Sequence, residues 1–505
     1  MRNCNKKWQC HLLSCLIIFI SGCALIPSPI PQDEFEAQAQ SDRQNIIANK
    51  DPVSGPVSLY EAIARALKYN LDFHLELANK VLAQKDLEIS HYELLPQMVT
   101  NLGYAGRSNF SGAGSRNLVT GRQSLPTSTS SDRDIHSANL SLTWNVLDFG
   151  LSYFRAKQAA DRVLLAEEEK RKVINRLVRN TRTAYWRAVS NDRLIEKMQG
   201  LLVKVNSALS DSRQIEAERL DRPLTALTYQ RELIGIKREI EELMQSLSFA
   251  KIQLAALMNL SPGEKYDLSI PERDRDIKPL EISLQMLETI ALENRPEVRE
   301  ISYQKRINRN ESKAAILELL PGLNLNFGQE YNDNSFLFNN DWLNYGARIS
   351  SNLINLLRLP SVNRQIDARE AVLDAQRLSV SMAVLSQVHV SIAQYEFARR
   401  QYQTAMDYYE TQKKILEQIS TAAIVETISQ QTLIREEMNM LVAEMRYDIA
   451  YSDLQNSYAG IYSALGVDLL PGYDYLMPLE TLENLLEKKF NALTIYDEIF
   501  QLKIE

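Results

Sequence analysis

An internal duplication constrains this fold more than any other feature of the sequence. Glu93-Leu94-Leu95-Pro96 is echoed by Glu318-Leu319-Leu320-Pro321, at an offset of 225 residues that holds over some 47 positions of the 505-residue chain. The offset becomes 207 where Trp144-Asn145 aligns with Ser351-Asn352. A repeat of this length predicts two similar structural units, residues 57–281 and 282–470.

Each repeat predicts the same order of elements. A short helix and a longer helix are followed by two strands and a very long helical hairpin. Pro96 and Pro321 cannot continue a helix interior, so each marks a switch from helix to strand. The first repeat carries 18 extra residues between Ser108 and His136. This stretch is rich in Ser, Thr, Gly and Asn, which predicts an exposed loop.

Four segments alternate between apolar and polar residues, at about 97–107, 137–147, 322–332 and 344–353. This period of two predicts strands, and a soluble sandwich would satisfy it as well as a membrane barrel. The strand lengths of about 9–11 residues and the polar faces rich in Asn, Ser and Thr favour a transmembrane barrel. Aromatic residues near the strand ends suit a belt at the membrane interface: Tyr104, Trp144, Phe149, Tyr331, Trp342 and Tyr345.

Four strands cannot close a barrel, because an open strand edge is not tolerated in lipid. Known transmembrane barrels use eight strands or more. The chain must therefore combine its strands with those of other copies. Two copies would supply eight strands and three copies would supply twelve.

The helical hairpins are far longer than those of ordinary globular proteins. The stretch from Leu151 to Leu209 contains no Pro, and the stretch from Asn363 to Ile419 contains neither Pro nor Gly. Nearly sixty helical residues span roughly 85–90 Å. No strict heptad is recognised, which favours staves of a wall over a solvated coiled coil. The prediction is a mainly α fold, in which duplicated strand pairs form an intermolecular transmembrane β-barrel and the long helices form an α-barrel.

Residues 1–22 predict a lipoprotein signal peptide, with an ordinary secretory signal as the alternative. Arg2, Lys6 and Lys7 precede a short apolar core, and Ser21-Gly22 leads into Cys23, as in a bacterial lipobox. The other three cysteines lie within residues 1–22, so Cys23 is expected to be acylated and to carry the only covalent group. Residues 23–56 contain five prolines and predict a lipid-anchored, extended linker.

Enzymatic and nucleic-acid functions find no support in the composition. The formal net charge of −7 disfavours nucleic-acid binding. The five histidines form no metal-binding spacing, and no nucleotide-binding loop or nucleophile motif occurs. The sequence predicts no catalytic residue, no metal and no cofactor apart from the lipid.

The duplication, the Leu-Leu-Pro switches, residues 144–150 and the closing segment 462–467 together resemble the TolC-type outer-membrane efflux proteins. The resemblance covers about residues 57–470, and the lipobox at Cys23 narrows it to the lipid-anchored branch of that family. The resemblance implies a homotrimer in the outer membrane whose helices extend into the periplasm. It also implies a periplasmic adaptor protein at the hairpin tips and an inner-membrane transporter that supplies the energy. On this reading the chain is a passive exit duct for efflux or type I secretion-like export.

The resemblance further implies a gate at the periplasmic tips. The positions that match the family's two ring aspartates are Glu426 and Ser429. A charge that merely suits a helix N-terminus is an equal reading of Glu426. Glu417 and Arg435 are weaker gate candidates. The family's tip arginine and tip glycine fall at Ala422 and Ser420, which implies a looser or different lock. Adaptor contacts are expected at the following tip residues: Ser212, Asp221, Ser420, Thr421 and Ala422.

The alternative function is a periplasmic coiled-coil lipoprotein that acts as a scaffold of the cell envelope. It accounts for the helices and the lipid but not for two matched pairs of amphipathic strands. The tail, residues 471–505, contains a helix-like stretch at 479–490 that is expected to pack around the middle of the helical wall.

Overall fold

A computed structural model describes residues 28–48, 50–123, 126–218, 223–261, 263–273, 283–424, 430–467 and 477–492. The chain divides into two units, Met1–Pro52 and Val53–Glu505. In the first unit, helix α1 runs from Gln32 to Ile47, and its side chains are exposed as far as Ile46. This helix corrects the prediction of an extended linker for residues 32–47 within the predicted range 23–56. Pro31 stands directly before the first helical residue, where its fixed backbone angle favours the start of a helix. Residues 32–47 contain neither Pro nor Gly, so nothing interrupts the helix.

The second unit repeats its elements as well as its sequence. The first repeat consists of α2 (Leu59–Tyr69), α3 (Leu71–Tyr92), β1 (Gln97–Gly106), β2 (Asp134–Asn145), α4 (Val146–Ala217) and α5 (Pro223–Leu257). The second consists of α6 (Leu284–Asn294), α7 (Pro296–Leu317), β3 (Gly322–Asn332), β4 (Asp341–Ser350), α8 (Leu353–Ile424) and α9 (Gln430–Leu465). Helix α10 (Leu479–Ala492) follows. The equivalent helices α4 and α8 each have 72 residues.

Two strands end earlier than the alternation predicts, because asparagine caps start the next helices. β2 stops at Asn145, whose Oδ1 accepts hydrogen bonds from the backbone N–H groups two and three residues on. β4 stops at Ser350, and Asn352 Oδ1 accepts a hydrogen bond from the N–H two residues on. Such caps satisfy amides that a helix leaves free, and they set its first residue. Helix α8 therefore begins before Pro360 and includes it.

The four strands form one antiparallel sheet in chain order, β1-β2-β3-β4. One row of directly opposed residues runs from Met98 through Leu142 and Phe327 to Tyr345. Because opposed residues of an antiparallel sheet point to the same side, the register assigns every strand residue to a face. Strands β1 and β4 are the open edges.

The helices pack side by side as a wall. Next to the sheet the order is α3-α4-α7-α8, and farther from the sheet the order is α5-α4-α9-α8. Helix α10 packs on the wall from one side. Its Leu482 and Leu486 are fully buried among residues of α2 and of α4, including Leu67 and Leu177. Ser58 Oγ donates a hydrogen bond to Glu483 Oε1 at 2.6 Å.

The long helices pack with heptad spacing, which corrects the expectation that they lack a strict heptad. Buried residues of α4 recur in steps of four and three: Leu194, Met198, Leu201, Val205, Ala208 and Ser212. Those of α8 do the same: Val384, Val388, Ser391, Tyr395, Ala398 and Tyr402. This spacing is that of a coiled coil. In α8 the core positions include serine, alanine and two tyrosines, which makes the heptad harder to recognise in the sequence.

A buried ion cluster joins the two hairpins where α4 meets α9. Asp448 of α9 is 1% exposed and pairs with Arg193 of α4 and with Arg273 of the segment after α5. Arg273 Nε donates to Asp448 Oδ1 at 2.7 Å, and Arg193 Nη2 donates to the backbone oxygen of Pro271 at 2.7 Å. Burial raises the pKa of Asp448, and the two guanidinium groups oppose that rise. The cluster therefore contains one buried carboxyl group that pairs with two guanidinium groups.

Candidate conduit surfaces

One face of the sheet carries apolar and aromatic side chains over most of its length. The residues that the register places on it include Met98, Leu102, Tyr104, Ala138, Leu140, Leu142, Trp144, Leu323, Leu325, Phe327, Tyr331, Leu343, Tyr345, Ala347 and Ile349. From the row of Leu102 to the row of Ile349, this face measures about 26 Å along the strands, at about 3.3 Å per residue.

No element in the described part of the chain covers this apolar face. Leu102 is 82% exposed and Ile349 is 75% exposed. A soluble sandwich would bury such a face beneath a second sheet, and the described residues form only one. Contiguous apolar surface of this extent marks a contact with lipid or with another protein.

The opposite face of the sheet carries amides, hydroxyls and glycines. Asn101 Nδ2 donates a hydrogen bond to Asn139 Oδ1 at 2.8 Å. Asn344 Nδ2 donates to Glu330 Oε1 at 2.8 Å. Side chains that pair with one another across strands and still face solvent are those of a wet surface.

Close approach on the polar face depends on glycine. A Cβ added at Gly328 would lie 2.9 Å from the backbone oxygen of Leu140, and one added at Gly346 would lie 2.8 Å from Asn326 Oδ1. Gly103 is on the same face and is equally crowded. Because glycines let a sheet bend, three of them on one side favour a curve with the polar face inside.

Three of the six aromatic belt candidates lie on strands at the ends of the apolar face. Tyr104 and Tyr331 lie at the end away from the helices. Trp144 lies at the end next to the helices, and its ring meets that of Phe149 edge-on at 5.9 Å. Aromatic side chains at these two levels suit the two interfaces of a membrane.

Phe149 lies in the first turn of α4, and the remaining two belt candidates, on β4, require correction. Tyr345 lies opposite Phe327, in the middle of the apolar face. Trp342 lies opposite Glu330, on the polar face. Nearness to a strand end determines neither the level nor the face of a side chain before the register is known.

The chain leaves open edges at every level. The sheet has β1 and β4 as its edges. The helical wall has α3 and α8 as its edges next to the sheet, and α5 and α8 as its edges farther from the sheet. Exposed apolar residues line these helices: Leu71, Leu75, Leu82 and Ile89 in α3, Leu227, Ile234, Phe249 and Ile252 in α5, and Leu378, Met382, Val390 and Phe397 in α8. Unlike edges on opposite sides of one chain suit copies joined head to tail.

Only some of the predicted tip and anchor residues lie in the described ranges. Cys23, Asp221, Glu426 and Ser429 lie outside them. Ser212 is buried near the end of α4, and its backbone oxygen accepts a hydrogen bond from a glutamine side chain of α5 at 3.4 Å. A buried side chain at this position contributes to the hairpin core and not to a contact surface.

The end of α8 carries the other tip candidates. Ser420 Oγ and Thr421 Oγ1 each donate a hydrogen bond to a backbone oxygen four residues earlier, at 2.7 and 2.9 Å. Ala422 is half-buried, and the Glu417 side chain is exposed. The two hydroxyl groups are thus engaged by their own helix.

A groove of about 420 Å³ lies near the tips, between the first turns of α5 and of α9. It is lined by Leu224, Thr225, Thr228, Tyr229, Glu232, Thr432 and Arg435. The hydroxyl of Tyr229 is buried without a hydrogen-bond partner, and burial raises the pKa of Tyr229. Arg435 is a weaker gate candidate in the sequence, whereas nothing in the sequence singles out Tyr229, because a single tyrosine in a helix belongs to no motif.

Within the described ranges, none of the helices has both the length and the hydropathy required to cross a membrane. The same residues contain no group of His, Cys, Asp and Glu arranged to hold a metal ion.

No protein-family model matches the chain, and no curated protein matches it in sequence. Solved structures do match. The Campylobacter jejuni CmeC outer membrane channel superposes with a TM-score of 0.63 at 14% identity, over 92% of this chain and 98% of that one. CusC, a structure described in terms of transmembrane channel formation, gives 0.61 at 16% identity, over 84% and 96%. The Neisseria gonorrhoeae MtrE outer membrane channel gives 0.60 at 16% identity, over 83% and 94%.

These likenesses show a shared fold. The chain is mainly helical with a small antiparallel sheet, as are these channels over nearly their whole length. The prediction of a mainly α fold with a β part, like that of the TolC-type proteins, is therefore confirmed for the single chain.

Proposed function

We propose that several copies of this chain form an outer-membrane exit duct for efflux or type I secretion-like export. The observation that carries the proposal is the uncovered apolar face of a sheet whose two edges are open. Lipid tolerates no open edge, so the sheet can enter a membrane only as part of a closed barrel. The apolar face then meets lipid, and the polar face lines the lumen. The duct is a passive conduit and not an enzyme.

Three copies suit a conduit better than two. Twelve strands about 4.8 Å apart and tilted by about 40° close at a backbone radius of about 12 Å, which leaves an open lumen inside the side chains. Eight strands give an interior that side chains fill. The same tilt reduces the apolar face to a band about 20 Å high, close to that of outer-membrane barrels.

The helices carry the duct away from the membrane. Helices of 72 residues measure about 108 Å at about 1.5 Å per residue. In this proposal their tips reach into the periplasm and bind an adaptor protein, which is coupled to an inner-membrane transporter that supplies the energy. The groove with Tyr229 and Arg435 supports an adaptor contact there, because it is a hollow of about 420 Å³ that the exposed guanidinium group of Arg435 helps to line.

Glu426 is the proposed gate residue, with Ser429 and Glu417 as secondary candidates. Three carboxylates around a narrow pore would attract cations and repel anions. In the alternative, Glu426 only complements the positive end of α9. Single-channel recording of Glu426→Ala separates the two readings. Changed closing and weaker cation preference support the gate, whereas unchanged openings leave the duct and remove Glu426 from the gate.

We further propose that Cys23 is acylated and anchors the chain to the outer membrane. The basic residues, the short apolar core and the small residues before Cys23 support this reading. Cells given labelled palmitate should label the natural chain and not Cys23→Ser. Equal labelling of both would exclude Cys23 as the attachment site.

Recording from planar bilayers tests the duct itself. Detergent-purified protein that is oligomeric and heat-modifiable on gels should give discrete openings. Protein that is monomeric, not heat-modifiable and silent in bilayers would overturn the duct. That outcome would favour the envelope scaffold, for which the heptads of α4 and α8 are the supporting observation.

A further inference from the structure

The polar face of the sheet carries charge at two separate levels. In the four strands, all of which the structure describes, Glu330 and Arg348 are the only charged residues whose register position is on this face. Glu330 is opposite Trp342 at the end away from the helices, and Arg348 is opposite Asn324 at the end next to them. The two rows lie six residues apart along β4, a distance of about 20 Å.

Neither charge is neutralised by a partner of opposite sign. Glu330 accepts a hydrogen bond from the uncharged amide of Asn344 at 2.8 Å, which orients its carboxylate along the sheet. Arg348 is exposed and forms no hydrogen bond or ion pair with any of the described residues. The remainder of this face is neutral, so each side chain dominates the potential at its own level.

We propose that these two residues set the ion preference of the barrel part of the duct. The proposal rests on the function proposed above. Three copies place a ring of Arg348 guanidinium groups at the helix end of the barrel lumen and a ring of Glu330 carboxylates towards the other end. With a backbone radius of about 12 Å and side chains that reach about 5 Å inward, the charges lie about 7 Å from the axis.

The size of the effect follows from screened electrostatics. Three unit charges about 7 Å from the axis, in water with 0.1 M salt, change the local concentration of a monovalent ion about fourfold. With strands tilted by about 40°, the rings lie about 15 Å apart along the barrel axis. This distance exceeds the Debye length of about 10 Å at this salt concentration, so each ring acts mainly at its own level. Anions are enriched at the Arg348 ring and cations at the Glu330 ring. The Arg348 ring is therefore a barrier to cations, and the Glu330 ring is a barrier to anions. Solutes without net charge meet neither barrier.

Reversal potentials of open single channels in a KCl gradient test the proposal. Arg348→Gln should shift the ratio of K⁺ to Cl⁻ permeability about fourfold towards K⁺, and Glu330→Gln should shift it about as far towards Cl⁻. The double variant should return close to the natural ratio. Arg348→Lys keeps the charge and should keep that ratio. Arg122→Gln, in the exposed loop between β1 and β2, is the matched control and should change nothing.

The outcomes distinguish this inference from the function on which it rests. Normal openings with an unchanged permeability ratio in both single variants would overturn the charged rings and leave the duct in place. Silence of the natural protein would overturn the duct itself. Glu330→Gln is nearly isosteric and retains an acceptor for Asn344, so it tests the outer ring even if Arg348→Gln does not assemble.

Discussion

Replacing Asp448 with leucine would measure how strongly the buried ion cluster holds the two hairpins together. The substitution removes a carboxyl group that is 1% exposed and leaves Arg193 and Arg273, 15% and 16% exposed, without a counter-charge. Removing one partner from a buried ion pair costs about 3–5 kcal/mol. We expect a loss of that size in the free energy of unfolding, because the two guanidinium groups would remain close together without the carboxylate that now pairs with both of them.

Chemical unfolding followed by far-ultraviolet circular dichroism measures this loss. The matched control is Glu437→Gln, which breaks an ion pair with Lys204 at 2.6 Å across the same pair of helices. Lys204 is exposed, so this control should lose no more than about 1 kcal/mol. A triple variant with leucine at Arg193, Arg273 and Asp448 removes every charge of the cluster and should recover most of the loss.

Two results would contradict this reasoning. A loss in Asp448→Leu no larger than that in Glu437→Gln would show that the buried cluster is energetically equivalent to a surface pair. A triple variant as unstable as the single one would show that the shape of the cluster matters and its charge does not.

Three further substitutions have outcomes that follow from single contacts. Gly328→Val places a Cβ 2.9 Å from the backbone oxygen of Leu140 and should reduce the heat-modifiable oligomer on gels, whereas Gly200→Ala, in open space on α4, should not. Asn145→Ala removes the cap of α4 and should lower the free energy of unfolding by about 1 kcal/mol in thermal melts. Leu482→Ala removes a fully buried side chain of α10 and should lower the free energy of unfolding by about 2–5 kcal/mol. It should also speed proteolysis of α10, and unchanged proteolysis would show that α10 does not depend on this contact.

Local signals in the sequence predicted the elements well. Pro96 and Pro321 predict switches from helix to strand, and β1 and β3 begin at the residues immediately after them. A proline acts on its own backbone and on the preceding turn, so its effect can be read without the rest of the fold. The asparagine caps are equally local, but Asn145 lies within an alternating stretch, and the alternation hid it.

Features that depend on distant residues were out of reach of the sequence. Asp448 is 255 residues from Arg193 and 175 from Arg273, so no local pattern connects them. The faces of Trp342 and Tyr345 depend on pairing with β3, and a shift of one residue would exchange them. Sequence patterns identify which segments are amphipathic, whereas contacts between segments decide which faces meet.

The duplication explains why the open edges suit one another. Within the chain, β2 pairs with β3, α4 packs on α7, and α4 packs on α9. In the proposed oligomer, the equivalent contacts between copies would join β4 to β1, α8 to α3, and α8 to α5, and these are the elements left open at each level. A ring of three chains is then a ring of six similar repeats.

This equivalence predicts specific neighbours across the seam between copies. Inside the chain, Arg306 of α7 donates to Asp161 of α4 at 2.7 Å. The offsets of 225 and 207 carry these positions to Val81 of α3 and Ala368 of α8, an apolar pair in place of an ion pair. The double variant Val81→Cys with Ala368→Cys should give dimers and trimers with a short thiol cross-linker.

The cross-linking is interpretable because the chain offers few other thiols. Its natural cysteines lie at or before Cys23, and the proposed acylation would leave none of them free. Each single-cysteine variant should remain monomeric on denaturing gels. The control pair, Val81→Cys with Gln394→Cys, should do the same, because Gln394 is an exposed residue of α8 that lies about 39 Å along the helix from Ala368. Cross-linking of that control to the same extent as the predicted pair would contradict a seam in which the contact between copies repeats the contact between repeats.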